Sequence, residues 1–133
     1  MRDELSTRCA GIEEAYEFML AYAAQGVEGD PENPTARELR RFLEQCDNAL
    51  SGIAGLFTKL VDRERLSPAE SYRAFGRVLE RDAGDARAAI QLVLAQPAIS
   101  SQLVDNLNAS IHLRALLTDL FLIDEVLKVK RQG

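Results

Sequence analysis

Residues 35–64, TARELRRFLEQCDNALSGIAGLFTKLVDRE, carry the longest regular apolar pattern in the chain. Leu39, Leu43, Cys46, Leu50, Ile53, Phe57 and Leu60 follow one another in alternating steps of four and three. On a helix of about 3.6 residues per turn that stepping places all seven on one side. Thr35 and Glu38 have the spacing of a capping box, in which the hydroxyl and the carboxylate satisfy each other's exposed backbone N–H groups. The stretch therefore predicts a single helix from about Thr35 to Glu64. Gly52 and Gly55 fall inside it, each at a cost of about 1 kcal/mol relative to Ala. Close approach of a neighbouring helix is the expected reason for them.

Working outward, the same stepping recurs before and after. Leu5, Cys9, Ile12, Tyr16, Met19 and Ala23 form a seam on a first helix, from about Asp3 to Gln25. Gly26 to Pro34 then make a loop rich in helix breakers. Ser67 as cap, Pro68 as first helical residue and Glu70 completing the box announce a third helix, with Tyr72, Phe75, Val78 and Leu79 on its apolar side. Asp82, Ala83, Gly84 and Asp85 interrupt it, so either a bend or two short helices is expected before Gln96 and Pro97 end it.

The fourth segment, about Ala98 to Lys130, changes face partway. Leu103, Val104, Leu107 and Ile111 make one stripe; Leu116, Leu120, Ile123 and Leu127 make another, turned by more than a quarter-circle. Asn106, Asn108 and Ser110 are poor helix formers, and a kink or break is expected between Asp105 and Ser110. Alternating apolar–polar stretches rich in β-branched residues are missing, as are hairpin turn pairs. The expected fold is all-α: an antiparallel four-helix bundle spanning residues 1–133 as one domain, its third or fourth helix kinked or broken.

Composition sets the outer bounds. The chain is 47% apolar and 28% charged, with no Trp, which is the make-up of a folded globular domain. The net charge of −5 is uneven. Residues 1–34 hold two Arg and eight acids, a net −6; the other 99 residues hold fourteen bases and thirteen acids, a net +1. No basic face suits a phosphate backbone or an anionic lipid surface, so neither nucleic acid nor membrane is an expected partner. Arg2 leads straight into Asp3 and Glu4, unlike a secretory signal, and the cytoplasm is the expected compartment.

The chemical motifs are mostly wanting. A di-iron bundle needs two Glu-x-x-His pairs, and this chain has one histidine, His112, with Ala109 three residues before it. Cys9 and Cys46 stand alone in separate helices, each on the apolar seam. They read as small buried side chains, with neither a zinc site nor a disulfide expected. Phosphate-cradling glycine loops and a nucleophile elbow do not occur. Glu13 and Glu17 lie one helical turn apart and could hold a cation, but read as a solvated face. No metal, cofactor or catalytic residue is expected.

Two functional readings remain. In one, His112 with Asp105, Asn108 and Asp119 forms a site for phosphotransfer or for a small ligand, since all four share one side of the fourth segment. The competing structural account is a histidine satisfied by its polar neighbours at a kink. In the other, residues 116–129 are apolar almost all round, with Phe121 among the solvent-side residues and Leu122 and Val129 at its border. A helix of that kind needs cover. Either the end of the chain packs sideways over its own core, or another protein or a second copy in a dimer supplies the cover. The function expected from the sequence is a non-catalytic helical interaction module: an adaptor, regulator or chaperone-like protein.

Overall fold

Ser51 and Gly52 split the long second helix. Ser51 is extended and Gly52 adopts a left-handed backbone (φ +72°) as the cap of a new helix. The structure, a computed structural model, describes the backbone of residues 1–132 and the side chains of residues 1–128. It is all-helical, in the order α1 (Arg2–Ala24), α2 (Pro34–Leu50), α3 (Ile53–Arg63), α4 (Ala69–Leu94), α5 (Ser101–Ala109) and α6 (Ile111–Gln132). No strand occurs among the described residues.

The predicted continuity of residues 35–64 is thus corrected. A β-carbon built on Gly52 or on Gly55 meets nothing within 4 Å, so neither glycine marks a close helix approach. Gly52 is there because a side chain disfavours its backbone conformation. The close approach lies elsewhere, at Gly76, where an added β-carbon would stand 3.1 Å from the Thr58 hydroxyl of α3. The start of α2 also differs from expectation. Asn33 is its cap, accepting at Oδ1 from the Thr35 N–H (2.8 Å), and Pro34 opens the first turn. α4 likewise starts at Ala69, one residue beyond the predicted Pro68.

α4 runs unbroken through the Asp82–Asp85 interruption. Leu79, Ala83, Ala86 and Ile90 are all buried and keep one stripe in step across it, while Gly84 and Asp85 are exposed. The fourth segment does break, at Ser110, whose hydroxyl accepts from the Leu113 N–H (3.3 Å) to cap α6.

One core joins all six helices. Tyr22, Ile12, Met19, Leu39, Leu43, Leu50, Ile53, Leu60, Leu79, Ile90 and Leu113 are fully buried in it. Phe18 stacks on Phe42 between α1 and α2 (4.5 Å between ring centres), and Phe57 meets Tyr72 edge-on between α3 and α4 (6.5 Å). Arginines of α1 and α2 close helix ends that would otherwise leave carbonyls unpaired. Arg8 donates to the carbonyls of Ala49 and Ser51 at the α2–α3 break, and Arg40 to those of Leu94 and Gln96 at the end of α4. Arg2 grips both oxygens of Glu64 (2.9 and 2.8 Å) and donates to the Leu127 carbonyl (3.1 Å), so the start of α1 is tied to α3 and α6.

The loop after α1 is sewn to the loop after α4. The Tyr22 hydroxyl donates to the Ile99 carbonyl (2.7 Å). The Ser101 hydroxyl donates to the Tyr22 carbonyl (2.7 Å) and accepts from the Val27 N–H (2.9 Å). The Ser101 N–H donates to the Val27 carbonyl (2.9 Å). Tyr22 and Ser101 are buried, so each bond shelters groups that would be costly to leave unpaired.

Candidate functional site

The four residues of the histidine reading are dispersed. His112 lies in the first turn of α6 and is exposed, and Asp105 is exposed on α5. Asn108 and Asp119 are buried, but they serve different helix pairs. The Asn108 amide donates to the Met19 carbonyl (3.2 Å), joining α5 to α1. Asp119 faces Asp82 of α4. The break at Ser110 puts Asp105 and Asn108 on α5 and His112 and Asp119 on α6, so the two pairs no longer share one wheel. His112 is exposed and its side chain makes no hydrogen bond or ion pair among the described residues, so His112→Ala is expected to change stability by no more than about 0.5 kcal/mol. Urea denaturation checks it, and a loss above 2 kcal/mol would show a structural role that the geometry lacks.

Asp82 and Asp119 are the unusual pair. Burial lifts the Asp119 carboxyl from its ordinary value of 3.8 to about 7, and the neighbouring Asp82 adds to the rise by hydrogen bonding and by its charge. The Asp119 Oδ2 is buried with no donor to meet it among the described residues. Two ionised carboxylates offer only acceptors, so they bond to one another only when one holds a proton.

The cysteines are free thiols. Burial pushes Cys46 up to about 12 and Cys9 up to about 11, the latter with help from the nearby charges of Glu13 and Asp124. Both are protonated near neutral pH and poor nucleophiles. Cys9 borders a cleft of about 270 Å³ between α1 and α6. Among the described residues no group of three or more His, Cys, Asp or Glu side chains is arranged to hold a metal ion. Glu13 and Glu17 are exposed.

An apolar groove lies on the other side of α6. Phe57 of α3, Tyr72 and Phe75 of α4, and Leu122, Ile123, Val126 and Leu127 of α6 line this groove of about 350 Å³, together with Pro68 and Ser71. Leu122 and Val126 stand half-exposed at its edge, and Phe121 beside them is 58% exposed. Val129, the third residue of the expected interface, lies outside the described side chains. Pro68 and the rings of Tyr72 and Phe75 belong to this surface but were not part of the sequence expectation. Their signal was available in the apolar side of the third helix, which carries both rings. No helix among the described residues is long and apolar enough to cross a membrane.

Comparison with protein-family models, with characterised proteins and with solved structures finds no match for the chain.

Proposed function

We propose that the chain is a non-catalytic interaction module that receives the apolar face of a partner protein's helix in the groove between α3, α4 and α6. The observation that carries this is the continuity of apolar surface from Phe57, Tyr72 and Phe75 across to the exposed Leu122 and Val126. A groove with rings on one wall and branched aliphatics on the other suits side chains spaced three and four residues apart on an amphipathic helix. Glu70, Arg73 and Glu125, which adjoin lining residues in the sequence, are exposed and of both signs, so this reading has apolar fit outweigh charge in choosing the partner. The reading takes the six helices as a four-helix bundle whose second and fourth members are bent. It places the protein in the cytoplasm, where reducing conditions keep Cys9 and Cys46 as thiols.

The test is capture of partners by the tagged full chain against Val126→Asp, followed by reconstitution with the purified candidate partner. A partly exposed site tolerates the carboxylate, so the variant should fold, yet a charge inside the groove should weaken binding by about 2 kcal/mol, roughly thirtyfold. Equal affinity of wild type and Val126→Asp for the reconstituted partner would refute the groove as the site. Light scattering on the purified chain separates self-association from partner binding.

A further inference from the structure

The groove and the Asp82–Asp119 pair lie on one seam. Within α4, Tyr72, Phe75, Leu79, Asp82 and Ala86 follow at three- and four-residue steps and so share a face. Within α6, Leu116, Asp119, Ile123 and Val126 do the same. Asp82 meets Asp119, while Tyr72 and Phe75 share the groove with Val126 and Leu127. Helices paired in this way run antiparallel, and Phe75 stands seven residues from Asp82 just as Val126 stands seven from Asp119. The carboxyl pair therefore sits about two turns, roughly 10 Å, from the middle of the groove. The separation of α4 and α6 sets the width of both.

We infer that Asp82 and Asp119 form a proton-operated latch on the α4–α6 seam: sharing one proton they hold the helices together, and losing it loosens the C-terminal half of α6 and widens the groove.

The charged surroundings leave the pair to itself. On α4, Glu80, Arg81 and Asp85 are exposed, and Arg87 is turned to Asp47 of α2 (2.9 Å). On α5 the one titratable residue is Asp105, which is exposed. Across α1, Cys9, Glu13 and Arg2 border the cleft with Asp124 and Lys128. On α6 itself Arg114 and Asp124 are exposed. Asp82 is the charge that bears on Asp119. When the proton is present, Asp119 donates to the Asp82 carboxylate, a short charge-assisted bond in a sheltered site. When it is gone, two like charges share the seam and Asp119 remains desolvated. An unfolded chain gives up this proton near 3.8, the folded one near 7. Between those values the folded state holds the extra proton, so stability is greatest below the window and falls as pH rises through it.

The latch rests on the seam alone; its consequence for docking rests on the function proposed above. The test uses the isotopically labelled full chain in two measurements. The first follows the Asp119 carboxyl carbon by NMR as pH is raised. The second compares hydrogen-exchange protection of the amides of residues 122–127 at about pH 6 and about pH 8, corrected for the intrinsic rate. The expected results are a midpoint near 7 and about a tenfold loss of protection at the higher pH. Asp119→Asn keeps a donor toward Asp82 at every pH, so its protection should no longer vary. An Asp119 midpoint in the ordinary carboxylate range overturns the latch, as does protection that is the same at both pH values. Both readouts on the wild type stand whether or not the variant folds. A partner that fails to bind while the titration and the protection change hold would refute the docking function and leave the latch intact.

Discussion

Gly29→Ala is expected to destabilise the fold by about 3–4 kcal/mol, whereas Gly26→Ala, three residues earlier in the same loop, should cost only about 1 kcal/mol. Both glycines have positive φ, +66° at Gly26 and +84° at Gly29, so both substitutions carry the strain of an L side chain in a left-handed conformation. Space separates them. A β-carbon on Gly26 meets nothing within 4 Å, but one on Gly29 would stand 2.0 Å from the Ile99 carbonyl oxygen and 2.4 Å from its carbon. Those are backbone atoms, and the same carbonyl accepts the buried Tyr22 hydroxyl. Relief of the clash must push the two loops apart, which strips partners from Tyr22, Ser101 and Val27 together. Denaturant unfolding of the two variants beside wild type reads the difference directly. Equal losses at the two positions would mean that the strain of the positive φ is the whole effect and that the loop contact is soft.

The stitching that makes Gly29 critical was the part of the fold least visible in sequence. The breaker-rich loop over residues 26–34 was plain, but the need for a bare α-carbon at Gly29 comes from Ile99, seventy residues away. Tyr22 shows the same limit: it lies beside the predicted seam of the first helix, and its burial follows from a carbonyl that only the folded chain brings near. Local patterns were read better. The apolar stripes located the four helical segments, since burying one face requires that spacing whatever the neighbours are. They failed at Ser51–Gly52 because the three-residue step from Leu50 to Ile53 keeps the stripe in phase across a break confined to the exposed side. The Ser-Gly pair itself was the available turn signal. The grouping of Asp105, Asn108 and Asp119 with His112 on one wheel assumed an unbroken helix, and the Ser110 cap removes that premise. Asp82 and Asp119 meet through tertiary register alone, so no spacing rule joins them.

That register yields a contrast between two leucines placed at the same level of the α4–α6 seam. Leu79, one turn from Asp82 on α4, is fully buried; Leu122, one turn from Asp119 on α6, is 50% exposed at the edge of the groove. Leu79→Ala removes a side chain from a closed site and leaves a cavity that packed neighbours cannot fill, and a loss of about 3 kcal/mol is expected. Leu122→Ala shortens a side chain that already faces water on one side, so its cost to the isolated chain should stay within about 0.5 kcal/mol. Unfolding curves at two protein concentrations, tenfold or so apart, test both halves. Losses of about 3 kcal/mol at Leu79 and little at Leu122, unchanged on dilution, fit an open groove awaiting a different protein. A comparable loss at Leu122 that grows with concentration would have another meaning. The folded state would then be linked to association, the edge of the groove would be covered by a second copy of the chain, and the partner in the proposed function would be the protein itself. A comparable loss independent of concentration would place Leu122 within the core and take away the exposed apolar edge on which the docking function stands.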